Sequence, residues 1–298
     1  MSLYRGCTAL ASVSLLMSTA FAAAPRTNIE FANAAGTPLY LDCSIPQGAG
    51  PFAAAIIVHG GGWVRGDRHV DVAPLFHPLE EAGIAWFSID YRLAGDITQF
   101  GTAIDDVRNA VLYVKAHASE YRIDPERIAL IGESAGGQLA AMAALEPSPG
   151  GGVKAVVGIY APTDLVALAT NSAFIPAEIR NALHGTPFES ILLARLEQLS
   201  PLQNVKSGAP PFLLIHGTAD PLVPFKQSRA MCDRLRAAGG SCVLYPVEGA
   251  GHGIRWWDSQ TYKAAMTNWL TTQLGQFSGK PPKESTGSQN ALHHLLRR

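Results

Sequence analysis

The chain has 298 residues, 47% of them hydrophobic and 16% charged, with a formal net charge of −1. That length and composition suit one large α/β domain or two small ones with a sizeable core. A near-neutral balance without a basic cluster or acidic tail gives no electrostatic footprint for nucleic acid or an anionic membrane surface.

In chain order, the first segment reads as a leader. Arg5 is the only charge before Arg26, and the modestly apolar residues 9–22 end in Ala20-Phe21-Ala22. A short charged region, an apolar stretch and an A-x-A ending form a secretory signal, predicted to be cleaved after Ala22. The stretch is too short to span a bilayer of ~30 Å, which needs about 20 apolar residues. Export to a bacterial periplasm or beyond is expected. No membrane span is predicted.

Two strand-like segments follow, 28–33 and 38–44, split by a turn at Gly36. Short apolar runs rich in Val and Ile then recur at 53–59, 84–90, 128–131, 154–160, 212–216 and 242–247. Such runs fit buried parallel strands. Helical patterns lie between or after them, at 70–82, 102–121, 134–145, 225–238 and 256–274. This alternation predicts a mostly parallel sheet covered on both faces, with sites at the C-terminal ends of its strands. Residues 23–275 are read as one domain. Within it, 164–200 breaks the rhythm with helical pieces near 176–183 and 189–199. That insertion is predicted to lie over the strand ends as a lid, the alternative being a helix pair packed on the edge. From 276 to 298 the composition turns to Ser, Gly, Lys and Pro, and a flexible tail is expected.

Loss of Cys7 with the leader leaves Cys43, Cys232 and Cys242, an odd number in an oxidising compartment. Cys232, in a helical pattern, and Cys242, in the next strand, could approach. A Cys232–Cys242 disulfide with Cys43 free and buried, and three buried free thiols, both fit the sequence.

The most informative stretch is Gly132-Glu133-Ser134-Ala135-Gly136. An apolar strand enters this G-x-S-x-G and a helical segment leaves it. In that context two glycines allow a sharp, strained turn that exposes the serine hydroxyl. Ser134 is therefore a candidate nucleophile rather than a structural turn. A serine needs a base, and the base an orienting group. His252, in the glycine-rich Glu248-Gly249-Ala250-Gly251-His252-Gly253 after the last strand, is the candidate base among nine histidines. His216 ends a strand and is expected to be buried. Asp220, in His216-Gly217-Thr218-Ala219-Asp220-Pro221, is the candidate orienting carboxylate, and Asp164 its competitor, with holding a loop as its expected role. Rigid backbone donors for an oxyanion are expected from Gly61, Gly62 and Ala135. The first two sit in His59-Gly60-Gly61-Gly62-Trp63; a phosphate-binding loop is disfavoured because no Gly-Lys-Ser/Thr follows. His59 is expected to brace this loop. No set of ligands lies at metal spacing, and no cofactor is expected. Trp63 either lines a pocket or packs. With Trp256, and with Phe174 and Trp257, it would give an aromatic mouth suited to aryl esters.

These motifs, together with Asp90-Tyr91-Arg92-Leu93, resemble the α/β-hydrolase superfamily. More narrowly, residues 30–275 resemble bacterial carboxylesterases of the feruloyl/acetyl-esterase type, neighbours of the hormone-sensitive-lipase-like esterases. The resemblance implies an α/β-hydrolase fold with an eight-stranded, mostly parallel sheet. It implies a serine-hydrolase mechanism on Ser134, Asp220 and His252 without a cofactor. The chain departs from the lipase-like branch in two places. About 36 residues separate the expected cleavage point from His59, too few for a helical cap, and Tyr91-Arg92-Leu93-Ala94-Gly95-Asp96 replaces that branch's Y-R-L-A-P-E. The expected activity is hydrolysis of short-chain or aryl carboxylic esters, with a small-molecule ester as partner. An aryl-formamidase-type amide hydrolase, or a non-catalytic binding protein on the same scaffold, are the alternatives. Oligomeric state is left open.

Overall fold

Eight strands form one sheet in the order β1-β2-β4-β3-β5-β6-β7-β8. They are seen in a computed structural model that describes residues 24–34, 36–95, 100–171, 181, 184–253 and 260–275. β1 (Arg26–Ala34) and β2 (Thr37–Ser44) form an antiparallel hairpin, and β2 pairs antiparallel with β4 (Ala85–Ile89). β3 (Phe52–Val58), β5 (Ile123–Glu133), β6 (Ala155–Ile159), β7 (Phe212–Gly217) and β8 (Cys242–Val247) complete a parallel run with β4. This is the α/β-hydrolase architecture that the motifs imply.

The apolar runs become strands because helices cover both sides of them. Ala54, Ile56 and Val58 of β3 face one core, while Ala53, Ala55 and Ile57 face the other, the period-2 alternation of a strand. The first core is closed by α2 (Phe100–Ala116), α3 (Ser134–Leu145) and a later helix, α7 (Lys226–Ala237), through residues such as Val107, Leu139 and Leu235. The second is closed by α1 (Phe76–Glu81) and α8 (Gln260–Leu274), through Leu79, Met266 and Leu270. Each fully buried side chain of this size contributes roughly 1.5–3 kcal/mol.

Some elements differ from the sequence expectations. The predicted helix over 70–82 is a short 3-10 turn (Ala73–Leu75) running into α1, with Pro74 and Pro78 in the opening turns where no N–H is needed. α2 ends at Ala116, and the chain then turns, with Tyr121 N–H bonding His117 O. Between β6 and β7 lie α4 (Leu165–Asn171), α5 (Pro187–Gln198) and α6 (Pro201–Asn204). α5 starts cleanly because Thr186 accepts the Glu189 N–H and Pro187 occupies the first helical position. Leu165, Leu168, Leu196 and Leu199 carry these pieces into the first core. The centre of the insertion (172–180, 182 and 183), on which the lid expectation rests, lies outside the described residues. So do the expected leader (1–22) and tail (276–298). Among the described residues no helix is long and apolar enough to cross a membrane.

Cys232 of α7 and Cys242 of β8 are joined in a disulfide, with Cα atoms 5.2 Å apart. Cys43 is free and buried in β2, and burial pushes its thiol up to about 11.

Candidate active site

The sheet places two loops side by side. β3 and β5 are parallel neighbours with Val58 opposite Gly132, so the glycine loop after β3 and Ser134 after β5 emerge together. The chain leaves β3 toward β4 and returns past it to β5, which makes this a topological switch point, where crevices open at strand ends.

Glu133 ends β5 in extended conformation and Ser134 opens α3 with φ +48°, a left-handed backbone that a non-glycine residue rarely adopts. The neighbouring glycines make that turn possible. A Cβ on Gly132 would sit 2.2 Å from Gly136 O, and one on Gly136 2.2 Å from Val58 O. The helix N-terminus behind Ser134 favours negative charge.

Ser134 Oγ lies 2.9 Å from His252 Nε2, and His252 Nδ1 lies 2.7 Å from Asp220 Oδ2. With the proton on Nδ1, as a carboxylate partner requires, Nε2 is free to accept from the hydroxyl. Asp220 Oδ1 accepts the N–H groups of Leu222 and Val223, each at 2.9 Å. Burial pushes the Asp220 carboxyl up, but hydrogen bonds from His216 and His252 outweigh it and hold the group well below the usual carboxylate range. His216 is fully buried, with Nε2 2.8 Å from Val223 O and 3.3 Å from Asp220 Oδ2, and Nδ1 2.7 Å from the Ser228 hydroxyl. Its place at a strand end was legible in the sequence; its contact with Asp220 was not. Asp164 instead accepts the Ala167 N–H at the start of α4, while its own backbone bonds Gln227, so it holds a loop.

The glycine loop is rigid. Gly61 has φ +104°, and a Cβ there would lie 2.0 Å from Arg65 O. His59 Nδ1 (2.8 Å) and Tyr91 OH (3.0 Å) both reach Gly60 O, and the His59 and Tyr91 rings stack at 4.3 Å. Burial lowers the His59 pKa, which favours the neutral ring. A peptide plane sets C=O and N–H in opposite directions, so pinning Gly60 O also fixes the direction of the Gly61 N–H. Gly61 and Gly62 lie in the loop after β3, and Ala135 follows Ser134 at the start of α3.

Trp63, expected either to line a pocket or to pack, is buried. It is 3% exposed, and its Nε1 donates to Gln138 Oε1 at 2.9 Å. Gln138 is itself fully buried in α3 and donates to Leu199 O at 2.8 Å, which ties the glycine loop to the insertion. Trp256, Phe174 and Trp257 lie outside the described residues. A cavity of about 400 Å³ lies between α2, α3 and α5, lined by Arg108, Met142, Glu146 and Arg195 among others. Its lining includes none of Ser134, Asp220 and His252 and no residue of the glycine loop. Among the described residues no group of three or more His, Cys, Asp or Glu could hold a metal ion.

A hydroxyl, imidazole and carboxylate in series can move a proton from Oγ to Nε2 while the carboxylate stabilises the imidazolium. Residues 41–235 match the BD-FAE family. The chain belongs to that family, on the α/β-hydrolase fold. Its C-terminal part, residues 195–279, also matches the TAP-like protein family. This BD-FAE member is 36% identical over 218 residues to Esterase LipC of Mycobacterium tuberculosis, covering 68% of this chain and 53% of that protein. It is 35% identical over 200 residues to the Probable carboxylic ester hydrolase LipM of the same organism, covering 63% and 46%. The chain thus spans about half the length of these curated relatives. Among solved structures, a truncated form of a carbohydrate esterase from gut microbiota superposes with TM-score 0.69 at 26% identity, covering 87% of this chain and 99% of that one. Esterase Est2 of Thermogutta terrifontis shares the fold at TM-score 0.69 and 24% identity, covering 89% and 96%.

Proposed function

We propose that this protein is a carboxylic ester hydrolase that cleaves short-chain or aryl esters through an acyl-enzyme on Ser134. The observation that carries the reading is the Ser134–His252–Asp220 series, with contacts of 2.9 and 2.7 Å. Ser134 Oγ attacks the ester carbonyl as His252 Nε2 takes its proton. The negative charge on the carbonyl oxygen is held by the N–H groups of Gly61, Gly62 and Ala135. Collapse expels the alkoxide, which leaves as alcohol with the proton from His252. Water, deprotonated by the same imidazole, then attacks the acyl-enzyme and releases the acid. Each oxyanion donor is expected to contribute about 10²–10³ in kcat. The esterase names of the relatives support ester rather than amide chemistry. Action outside the cytoplasm fits the expected leader and the Cys232–Cys242 bridge, since disulfides persist in oxidising compartments.

The test is a panel of p-nitrophenyl acetate, butyrate and octanoate, methyl ferulate, acetylated xylan and N-formylkynurenine, assayed with the wild type and Ser134→Ala. Rates highest on acetate, butyrate or ferulate, and reduced to traces in Ser134→Ala, are expected. Faster turnover of N-formylkynurenine than of any ester, or an alanine variant retaining half its rate, would overturn the reading.

A further inference from the structure

Glu133 stands out because its charge is expensive where it sits. The residue is 8% exposed, and among the described residues no lysine or arginine pairs with it. Its Oε1 accepts the Gly60 N–H at 3.1 Å and its Oε2 accepts the Tyr160 hydroxyl. Burying an ionised carboxylate without a cation costs several kcal/mol. The Gly60 contact needs only an acceptor, which a glutamine also supplies. The negative charge itself therefore calls for a partner, and among the described residues one arises during turnover.

That partner is His252. The Tyr160 ring packs against the His252 imidazole with centroids 4.7 Å apart, while its hydroxyl holds Glu133. We propose that Glu133 is a positioning residue whose carboxylate, across Tyr160, stabilises the His252 imidazolium formed when Ser134 gives up its proton. The same carboxylate fixes the Gly60 end of the glycine loop. One side chain thereby links the base, the loop of backbone donors and the nucleophile next to it in sequence. The inference rests on the reading of Ser134 as nucleophile.

The surrounding charges fit this role. Burial holds the Glu133 pKa above the usual carboxylate value, against the Tyr160 and Gly60 hydrogen bonds and the nearby His252, which all favour the charged form. His252 itself faces Ser134, Asp220, Tyr160 and this carboxylate. A carboxylate near an imidazolium stabilises it, and the acid limb of the pH profile reads the loss of that attraction.

The experiment compares wild type, Glu133→Gln, Glu133→Asp and Ser134→Ala by kcat, KM, the pH profile of kcat/KM and Tm. For Glu133→Gln, kcat should fall at least about tenfold with KM within about twofold, since the lost interaction exists only in the transition state. The acid limb of kcat/KM should move to lower pH, and Tm should hold or rise as a buried charge is removed. Glu133→Asp, which keeps the charge, should keep the wild-type acid limb; this arm carries the test if the glutamine variant fails to fold. A kcat within about twofold of wild type in Glu133→Gln, an acid limb that does not move there, or an acid limb displaced to lower pH in Glu133→Asp would overturn the inference. An active Ser134→Ala would instead overturn the underlying reading.

Discussion

At the residue scale, the turn around Ser134 is bought with glycine. Gly136 packs so closely that a Cβ would meet Val58 O at 2.2 Å, and a backbone oxygen inside a sheet has nowhere to move. Gly136→Ala is expected to destabilise the fold by about 1–3 kcal/mol or more, with matching loss of activity. Gly152→Ala, where a Cβ meets nothing within 4 Å, should be neutral or stabilising by up to about 1 kcal/mol. Urea midpoints of the two variants check this, and equal midpoints would contradict it. Ser134, Asp220 and His252 were legible because each follows an apolar strand in a glycine-bearing or acid-bearing turn. Trp63 was ambiguous because its partner Gln138 lies 75 positions away. His216 was read as buried, but its contact with Asp220 depends on how the loop after β7 folds back.

At the element scale, the disulfide joins the two elements that frame the Asp220 and His252 loops. α7 follows the first loop and β8 precedes the second, so the bridge holds their spacing. The bridged residues are 10 positions apart. Closing so short a loop is expected to contribute about 2–3 kcal/mol through the unfolded chain. The Cys232→Ser/Cys242→Ser pair should lower the urea midpoint accordingly, and wild type treated with reductant should match the variant. A midpoint unchanged by the substitutions would contradict this. Strands were more legible than helices. The core strands are continuous apolar runs, whereas α4 and α6 are too short for a 3.6-residue period to declare itself. The helix was predicted to continue to residue 121 because Ala118 and Tyr121 extend the apolar pattern, but they do so in a turn after Ala116. β5 is longer than expected because its first half, Ile123-Asp124-Pro125-Glu126-Arg127, reads as a loop, yet Ile123 pairs with Phe52.

At the scale of the whole molecule, fold and site are one argument. Parallel strands alternating with helices put every loop that matters at one edge, and the reversal of direction at β3 makes the strand ends beside Ser134 a switch point. The alternation was visible in the sequence. The order of strands was not, since it follows from which crossovers pack on which face rather than from any local pattern. The central claim is that this edge activates Ser134 as a nucleophile, and one measurement tests it most directly. Purified protein is incubated with the organophosphate paraoxon and analysed by intact and peptide mass spectrometry. One diethylphosphoryl group per chain, on the peptide carrying Ser134, is predicted, with esterase activity lost in proportion and no adduct on Ser134→Ala. An unmodified Ser134, or hydrolysis that continues after it is fully modified, would contradict the account.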